Sequence, residues 1–197
     1  MVSNGSFGLV DTGKKKLLVT CNHVLEGYDR ELEKFPDLRL RIAFDSGPPF
    51  ELSRDRFMGD KRLDIATFDM DEFENNYADK KFFPLQECPE LSTGDPIIIM
   101  GFPGHTRHSI GEYAVFGPHA YALGVSSIDG FKFHADTSRI ESKGDEFRGI
   151  SGGPCFVFRE GSQVQLAGFT GELQFDYLAF TSSRCINADG TLRNTHP

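Results

Sequence analysis

The stretch Gly149-Ile150-Ser151-Gly152-Gly153-Pro154 places three glycines, a serine and a proline within six residues. Glycine adopts positive backbone φ angles at little cost, so this composition indicates a tight turn. A nucleophilic serine needs such a turn, because it must be exposed and close to backbone N–H groups that can stabilise an oxyanion. The same residues also fit an ordinary Gly-rich hairpin, and composition alone leaves both interpretations open.

Outward from this turn, the sequence predicts short strands separated by turns. The residues that follow it, Cys155-Phe156-Val157-Phe158, are apolar, as in a buried strand. The 21 Gly and 10 Pro residues fit many turns, and this pattern indicates an all-β sandwich or barrel. The predicted strands are Ser6–Val10, Lys16–Thr20, Leu38–Phe44, Leu63–Asp69, Pro96–Gly101, Tyr113–Phe116, Ala120–Ser127, Phe131–Asp136, Gly153–Phe158, Val164–Phe169 and Leu178–Ser182.

Helical patterns are few, and one Pro-containing stretch divides the chain. Residues His23–Leu32 could hold one or two helical turns, and Asp71–Lys81 could form a polar surface helix or a loop. The stretch Phe82–Leu91 separates the first set of strands from the second. We therefore expect two halves, residues 1–85 and residues 86–197.

Composition disfavours several classes of protein. The formal net charge is −8, whereas nucleic-acid binding needs a basic face that displaces counterions. No stretch approaches the ~20 consecutive apolar residues of a membrane-spanning helix. The start of the chain lacks a basic region followed by an apolar run, so we expect no signal peptide unless one has been removed. No Cys-x-x-Cys pair occurs among Cys21, Cys88, Cys155 and Cys185, which disfavours a zinc site and predicts reduced thiols in a cytoplasmic setting.

Two further polar residues stand at the ends of apolar runs. In Leu17-Leu18-Val19-Thr20-Cys21-Asn22-His23-Val24 a β-run ends at a histidine, where a fixed general base could reach a cleft. In Leu63-Asp64-Ile65-Ala66 one aspartate is embedded in an apolar run, and a buried carboxylate needs a partner such as an imidazole. Taken singly, a histidine after a strand and an aspartate at a strand edge are both ordinary features.

Together the three motifs occur in the order His, Asp, Ser. The sequence resembles the chymotrypsin/trypsin-like serine protease superfamily, in its bacterial-type (HtrA-like or glutamyl-endopeptidase-like) branch. Thr20-Cys21-Asn22-His23-Val24 resembles the family's histidine motif, Asp64-Ile65-Ala66 its aspartate motif, and Gly149–Pro154 its serine motif. Two softer matches are Gly5-Ser6-Phe7-Gly8 and Ile99–Gly104, so the resemblance runs from about Gly5 to about Ser183.

The resemblance implies a fold and a mechanism. The fold is two antiparallel six-stranded β-barrels, with the active site in the cleft between them. Ser151 is implied to be the nucleophile, His23 the general base and Asp64 the residue that orients the imidazole, while the N–H groups of Gly149 and Ser151 form the oxyanion hole. A protein or peptide is the implied substrate, and no metal or cofactor is required.

The sequence departs from the family pattern near the nucleophile and at both ends. Ile150 stands where the digestive enzymes have the aspartate that pairs with an activated N-terminus, and the mature Ile-Val-Gly-Gly start is missing. A strand expected before Gly5–Val10 is not seen, nor is a helix in Asn187–Pro197. A regulatory partner protein or additional domains could supply what is missing.

The primary specificity pocket is weakly determined. Asp145, six residues before Ser151, is at the offset that the resemblance places at the base of this pocket, but it also reads as part of a solvated turn. His134 could face the pocket and favour an acidic residue, and Gly168 and Thr170 belong to the stretch expected to form its far wall.

Two interpretations of function follow. The leading one is a serine endopeptidase acting through an acyl-enzyme intermediate. The alternative is a latent or non-catalytic protease-like module that binds a protein partner. A missing first strand would favour this alternative, whereas the three intact motifs argue against it.

Overall fold

The chain folds mainly into β-strands, and the computed structural model describes residues 5–42, 44, 49–77, 79–85, 88–110, 113–140, 147–159, 161 and 163–193. The α-helices of these residues are α1 (Asn22–Lys34) and α2 (Glu74–Tyr77). Their strands are β1 (Gly8–Asp11), β2 (Lys16–Thr20), β3 (Arg41–Ile42), β4 (Phe50–Glu51), β5 (Met58–Asp60), β6 (Ile65–Asp69), β7 (Phe83–Pro84), β8 (Pro96–Gly101), β9 (Arg107–Ile110), β10 (Tyr113–Phe116), β11 (His119–Asp129), β12 (Lys132–Asp136), β13 (Pro154–Val157), β14 (Gln165–Gln174) and β15 (Tyr177–Ser182).

The second half of the chain forms a closed barrel of six antiparallel strands, in the order β11-β12-β15-β14-β13-β8. Alternate residues of each strand face the interior, as the two-residue repeat of a strand requires. In β12, for example, Phe133 and Ala135 are buried while Lys132 and His134 are only partly buried. The predicted all-β fold and its C-terminal six-stranded barrel are therefore confirmed.

The first half of the chain contains a five-stranded sheet in the order β5-β6-β2-β1-β7 and a separate antiparallel pair, β3-β4. The strands β3 and β4 have two residues each, and residues 43 and 45–48 between them lie outside the described part of the chain. In the described residues this half is an open sheet, so closure of a first six-stranded barrel stays a prediction.

Both faces of the five-stranded sheet are buried, because residues of β1, β2 and β6 alternate between two apolar cores. One face, with Val10, Val19 and Ile65, packs against Phe156 and Phe169 of the barrel. The other face packs under α1 and the β3-β4 pair. The sheet and the barrel thus share a continuous core, which fixes the position of each half relative to the other.

The helix α1 is longer than the one or two turns predicted, since it extends over 13 residues. Its second half, Asp29-Arg30-Glu31-Leu32-Glu33-Lys34, contains neither glycine nor a β-branched residue and is rich in good helix formers. The helix ends at Lys34, and the following Phe35 has a non-helical backbone (φ −130°, ψ 82°), as expected for a residue that precedes proline. No helix within the described ranges is long and apolar enough to span a membrane.

Candidate active site

His23 and Asp64 form a paired contact at the edge of the five-stranded sheet. His23 lies in the first turn of α1, directly after β2, and Asp64 directly precedes β6. The antiparallel pairing of β2 with β6 brings these two strand ends together. His23 Nδ1 lies 2.8 Å from Asp64 Oδ2, and the backbone N–H of His23 donates to Asp64 Oδ1 at 2.9 Å. One carboxylate therefore holds both the imidazole and the backbone of His23.

Asp64 has an unusual backbone conformation, with φ of +53°. Aspartate tolerates this left-handed region better than most residues, but it remains less favourable than extended backbone. The carbonyl of the preceding residue, Leu63, accepts hydrogen bonds from Lys132 Nζ and from Thr181 Oγ1. Both donors belong to the barrel, so the aspartate turn is attached to the second half of the molecule.

The environment shifts the pKa values of the pair in opposite directions. Burial lowers the pKa of His23, but the hydrogen bond and charge of Asp64, with the charges of Glu172 and Glu26, outweigh it and raise that pKa overall. Burial raises the pKa of Asp64, but its hydrogen bonds with His23 and the charges of His23 and Lys132 lower it overall. Asp64 is therefore ionised at neutral pH and stabilises a protonated imidazole.

The serine turn leads directly into β13. Gly149 and Gly152 have φ of +92° and +88°, so glycine at both positions avoids the strain that a side chain would bring. The N–H of Gly152 donates to Thr170 of β14 at 2.7 Å, and that of Gly153 donates to Ile150 at 2.8 Å. The first hydrogen bond anchors the turn to the barrel, and the second closes the turn around Ser151.

Ser6 ties the serine turn to the first half of the chain. Its backbone N–H donates to the carbonyl of Ser151 at 2.8 Å, and its hydroxyl donates to the carbonyl of Gly149 at 2.9 Å. The same hydroxyl accepts the N–H of Phe102 at 2.9 Å, and the Ser6 carbonyl accepts the Thr20 hydroxyl at 2.8 Å. Ser6 is buried, so these four hydrogen bonds are shielded from water.

The N–H groups of Gly149 and Ser151 have no hydrogen-bond acceptor among the described residues. An oxyanion hole needs backbone donors beside a serine hydroxyl, and the assignment of this role to Gly149 and Ser151 stays a prediction. In the same part of the chain, Ser151 Oγ donates to the carbonyl of Gly171 at 3.2 Å, and no hydrogen bond joins it to His23. The hydroxyl of Ser151 is thus hydrogen-bonded to β14.

A cleft of about 570 Å³ lies beside the His23–Asp64 pair. Its walls combine both halves of the chain, and the lining residues include the cations Lys132 and Lys61 and the anions Glu172 and Glu26. The carboxylate of Glu172 approaches His23 Nδ1 to 3.7 Å. In this cleft the imidazole therefore lies next to charges of both signs.

The predicted specificity residues are dispersed in the structure. His134 lines the cleft, where its Nδ1 lies 3.2 Å from the hydroxyl of Ser127. Gly168 and Thr170 are buried in β14 and are not among the described residues that line the cleft. Asp145 lies outside the described residues. The identity of the primary pocket therefore stays a prediction.

Cys21 completes the surroundings of the acid–base pair. Its Sγ and the polar atoms of His23 and Asp64 all lie within 4.8 Å of one another, which is a separation that a metal ion could bridge. The Cys21 thiol, however, donates to the carbonyl of Thr170 at 2.9 Å, and burial together with the charge of Asp64 raises its pKa well above the ordinary value. Because a metal ligand must be a thiolate, the three groups fit a protonated hydrogen-bond network better than a metal site.

The closed antiparallel barrel and the motifs at its junction with the sheet define a protein of the chymotrypsin/trypsin-like superfamily. A family model described as the trypsin-like peptidase domain matches residues 5–164. The chain belongs to this peptidase family, and membership supports a protease function on protein or peptide substrates.

Among solved structures, the chain is similar to a serine protease of a human pathogenic astrovirus. The two share 12% sequence identity, the match covers 96% of this chain and 85% of that chain, and the TM-score is 0.48. A search of curated protein sequences found no significant match.

Sequence reasoning singled out His23, Asp64 and Ser151, and the structure brings the first two into direct contact. Lys132 was not predicted as a site residue. It lies in the predicted strand Phe131–Asp136, and the alternation of side chains along a strand could have indicated which way it points. The stretch that contains Ser6 was recognised as a motif, but its contact with the serine turn was not predicted. Ser6 and Ser151 are 145 residues apart, and a contact between such distant residues leaves no local sequence pattern.

Proposed function

We propose that this chain is a serine endopeptidase that uses His23, Asp64 and Ser151 as its catalytic triad. The observation that carries the proposal is the double contact of Asp64, which accepts from the backbone N–H of His23 at 2.9 Å and lies 2.8 Å from Nδ1. With Nδ1 protonated and held in this way, Nε2 is the ring nitrogen that is free to accept a proton.

In the proposed reaction, Ser151 Oγ attacks the carbonyl carbon of the scissile peptide while His23 Nε2 takes the hydroxyl proton. The negative charge moves to the carbonyl oxygen, where the N–H groups of Gly149 and Ser151 stabilise it. Collapse of this intermediate breaks the C–N bond, and the proton on His23 passes to the leaving amine. A water molecule, deprotonated by His23, then attacks the acyl-enzyme ester. The Oγ–C bond breaks, His23 returns the proton to Ser151 Oγ, and the acid is released.

Both halves of the chain contribute to this mechanism. We propose that residues 1–85 supply the acid–base pair and residues 86–197 the nucleophile and the oxyanion hole. Proton transfers and hydrogen bonds account for every step, so the mechanism calls for neither a metal ion nor a cofactor. The assignment to a bacterial-type branch and the cytoplasmic location stay predictions.

Labelling with a fluorophosphonate probe tests the proposal, because this probe reacts with an activated serine. We expect the wild-type protein to be labelled at Ser151 and the Ser151→Ala variant to be unlabelled, with unchanged folding by circular dichroism. A matched control is Ser138→Ala, which removes a hydroxyl from an exposed turn and should leave labelling intact. Labelling of Ser151→Ala to the wild-type extent would contradict the assignment.

A latent or non-catalytic protease-like module is the second candidate. The hydrogen bond from Ser151 Oγ to the Gly171 carbonyl favours it, because in this conformation the hydroxyl proton is donated to a carbonyl and not to His23. This candidate predicts a folded wild-type protein that the probe does not label. Labelling that appears only when a protein partner is added would support latency, and binding of the partner without labelling would support a module that has lost catalysis.

A further inference from the structure

Lys132 is a partly buried cation beside the acid–base pair. It is the first residue of β12, and its side chain leaves the barrel on the side opposite to the buried Phe133. It lines the cleft together with His23 and Asp64. An ammonium group in a partly buried position costs free energy unless other groups compensate it, so its partners indicate its role.

The partners of Lys132 form a closed set of three hydrogen-bonding groups. Lys132 Nζ donates to the Leu63 carbonyl and, at 2.8 Å, to Thr181 Oγ1. Thr181 Oγ1 in turn donates to the same Leu63 carbonyl. Lys132 and Thr181 face each other in the register of β12 and β15. Two neighbouring barrel strands, β12 and β15, therefore both donate hydrogen bonds to the Leu63 carbonyl in the first half of the chain.

That carbonyl belongs to the peptide group that connects Leu63 to Asp64. A peptide group is planar, so fixing the direction of its C=O fixes the plane from which the Asp64 backbone continues. Asp64 requires this constraint, because its φ of +53° is not a conformation that an aspartate adopts by default. In this backbone conformation both carboxylate oxygens contact His23.

We propose that Lys132 is a positioning residue of the catalytic pair, which holds the Asp64 turn from the barrel and places a positive charge beside the carboxylate. The inference rests on the proposed function, because it assigns a role within the same site. Thr181 shares the first part of this role, since it contacts the carbonyl, but it carries no charge. The two residues therefore separate mechanical support from electrostatic support.

The charge of Lys132 acts on the pair in a definite direction. It lowers the pKa of Asp64, while burial lowers the pKa of Lys132 itself and Asp64 opposes that shift. Without the positive charge of Lys132, the negative charges around His23 are less compensated, so the pKa of the imidazole rises. The other titratable groups that surround His23 and Lys132 are Glu172, Glu26, Cys21, Cys185, Asp60, Lys61, Arg62 and His134.

The decisive experiment compares Lys132→Met, Lys132→Arg and Thr181→Val, with Lys34→Met on the exposed end of α1 as the matched control. The pKa of His23 is measured by NMR titration of its ring resonances, assigned with a His23→Asn variant, and kcat/KM is measured against pH. We expect Lys132→Met to raise the His23 pKa by roughly 0.5 to 1 unit and to reduce kcat/KM by about 10-fold or more.

The other variants should affect the His23 pKa and kcat/KM differently. Lys132→Arg should keep the wild-type His23 pKa, and Thr181→Val should also keep it while reducing kcat/KM. Lys34→Met should match the wild type in both measurements. An unchanged or lowered His23 pKa in Lys132→Met would overturn the inference. Because the NMR titration needs no activity, a shifted His23 pKa in a protein that cleaves nothing would preserve the inference and reject the proposed function.

Discussion

The serine turn around Ser151 and the aspartate turn at Asp64 both contain positive φ angles, but they accommodate these angles in different ways. Around Ser151, positive φ angles fall on Gly149 and Gly152, which adopt them without strain. At the other turn the positive φ falls on Asp64 itself, whose carboxylate the proposed mechanism requires. That turn is held by side chains of the barrel instead. The conformation around the proposed nucleophile therefore depends on glycine in its own turn, whereas that of the proposed orienting acid depends on residues distant in sequence.

The largest effect is expected from Asp64→Asn, which keeps the shape of the aspartate turn but removes its charge. An asparagine can donate to the imidazole and stabilise the wrong tautomer, so kcat should fall by about 10⁴-fold at neutral pH. Steady-state kinetics on a peptide substrate measure this. A fall of less than tenfold would show that Asp64 does not orient the catalytic imidazole.

Gly152→Ala tests the serine turn. A Cβ at this position would lie 2.2 Å from the Ser6 carbonyl oxygen and 2.4 Å from Thr20 Oγ1, in a backbone conformation with φ of +88°. We expect kcat/KM to fall about 100-fold and the free energy of unfolding to fall by about 3 kcal/mol. Urea denaturation and kinetics are the measurements.

Gly161→Ala is the matched control for that variant. Its φ is +74°, but a Cβ there would meet no atom within 4 Å. It therefore isolates the conformational cost, about 1 kcal/mol, and should leave kcat/KM unchanged. Equal destabilisation by the two substitutions would mean that steric contact at the serine turn is unimportant.

The pH dependence of activity and of stability should reflect the interaction between His23 and Asp64. Activity needs neutral His23, whose pKa is raised, so kcat/KM should rise with pH through a value above the ordinary 6.5. The stabilisation from protonated His23 is complete below its unfolded pKa and is lost as pH rises through the folded pKa. The pKa of Asp64 is lowered, so its stabilisation is present above 3.8 and is lost as pH falls through the folded pKa.

Asp64→Asn sharpens this measurement, because it removes the charge that raises the pKa of His23. The acid limb of the pH–activity profile should move to lower pH in this variant, since burial then dominates. A limb at the wild-type pH would indicate that another carboxylate, such as Glu172, controls His23.

The smallest effect is expected from comparing Asp64→Gly with Asp64→Ala. Both substitutions remove the carboxylate contacts, but only glycine relieves the strain at φ of +53°. The glycine variant should therefore be more stable to urea than the alanine variant by about 1 kcal/mol. Greater stability of the alanine variant would show that the turn changes conformation once its carboxylate is lost.

Local patterns in the sequence predicted much of the fold. The strands Lys16–Thr20, Pro96–Gly101 and Tyr113–Phe116 have the predicted bounds, because each is an apolar or β-branched run between turn residues. The length of α1 was underestimated, since helix propensity is spread over many weak preferences rather than marked by a motif.

The candidate site was predictable only where chemistry requires a particular side chain. Asp64 stood out because a carboxylate interrupts an apolar run, but its positive φ and its contacts with Lys132 and Thr181 depend on how the barrel packs. The orientation of the Ser151 hydroxyl depends on a side-chain torsion, which no sequence pattern records. Contacts between distant segments were therefore the part that sequence could not supply.

The hydrogen bond between Ser151 and Gly171 has a kinetic consequence. A single rotation about the Cα–Cβ bond takes the hydroxyl away from that carbonyl, and such rotations in accessible side chains take picoseconds to nanoseconds. Giving up one neutral hydrogen bond costs about 1 kcal/mol, which leaves roughly one molecule in six released at any moment. Typical turnover takes about 0.1 s, so a serine that rests on Gly171 is available many millions of times within one catalytic cycle.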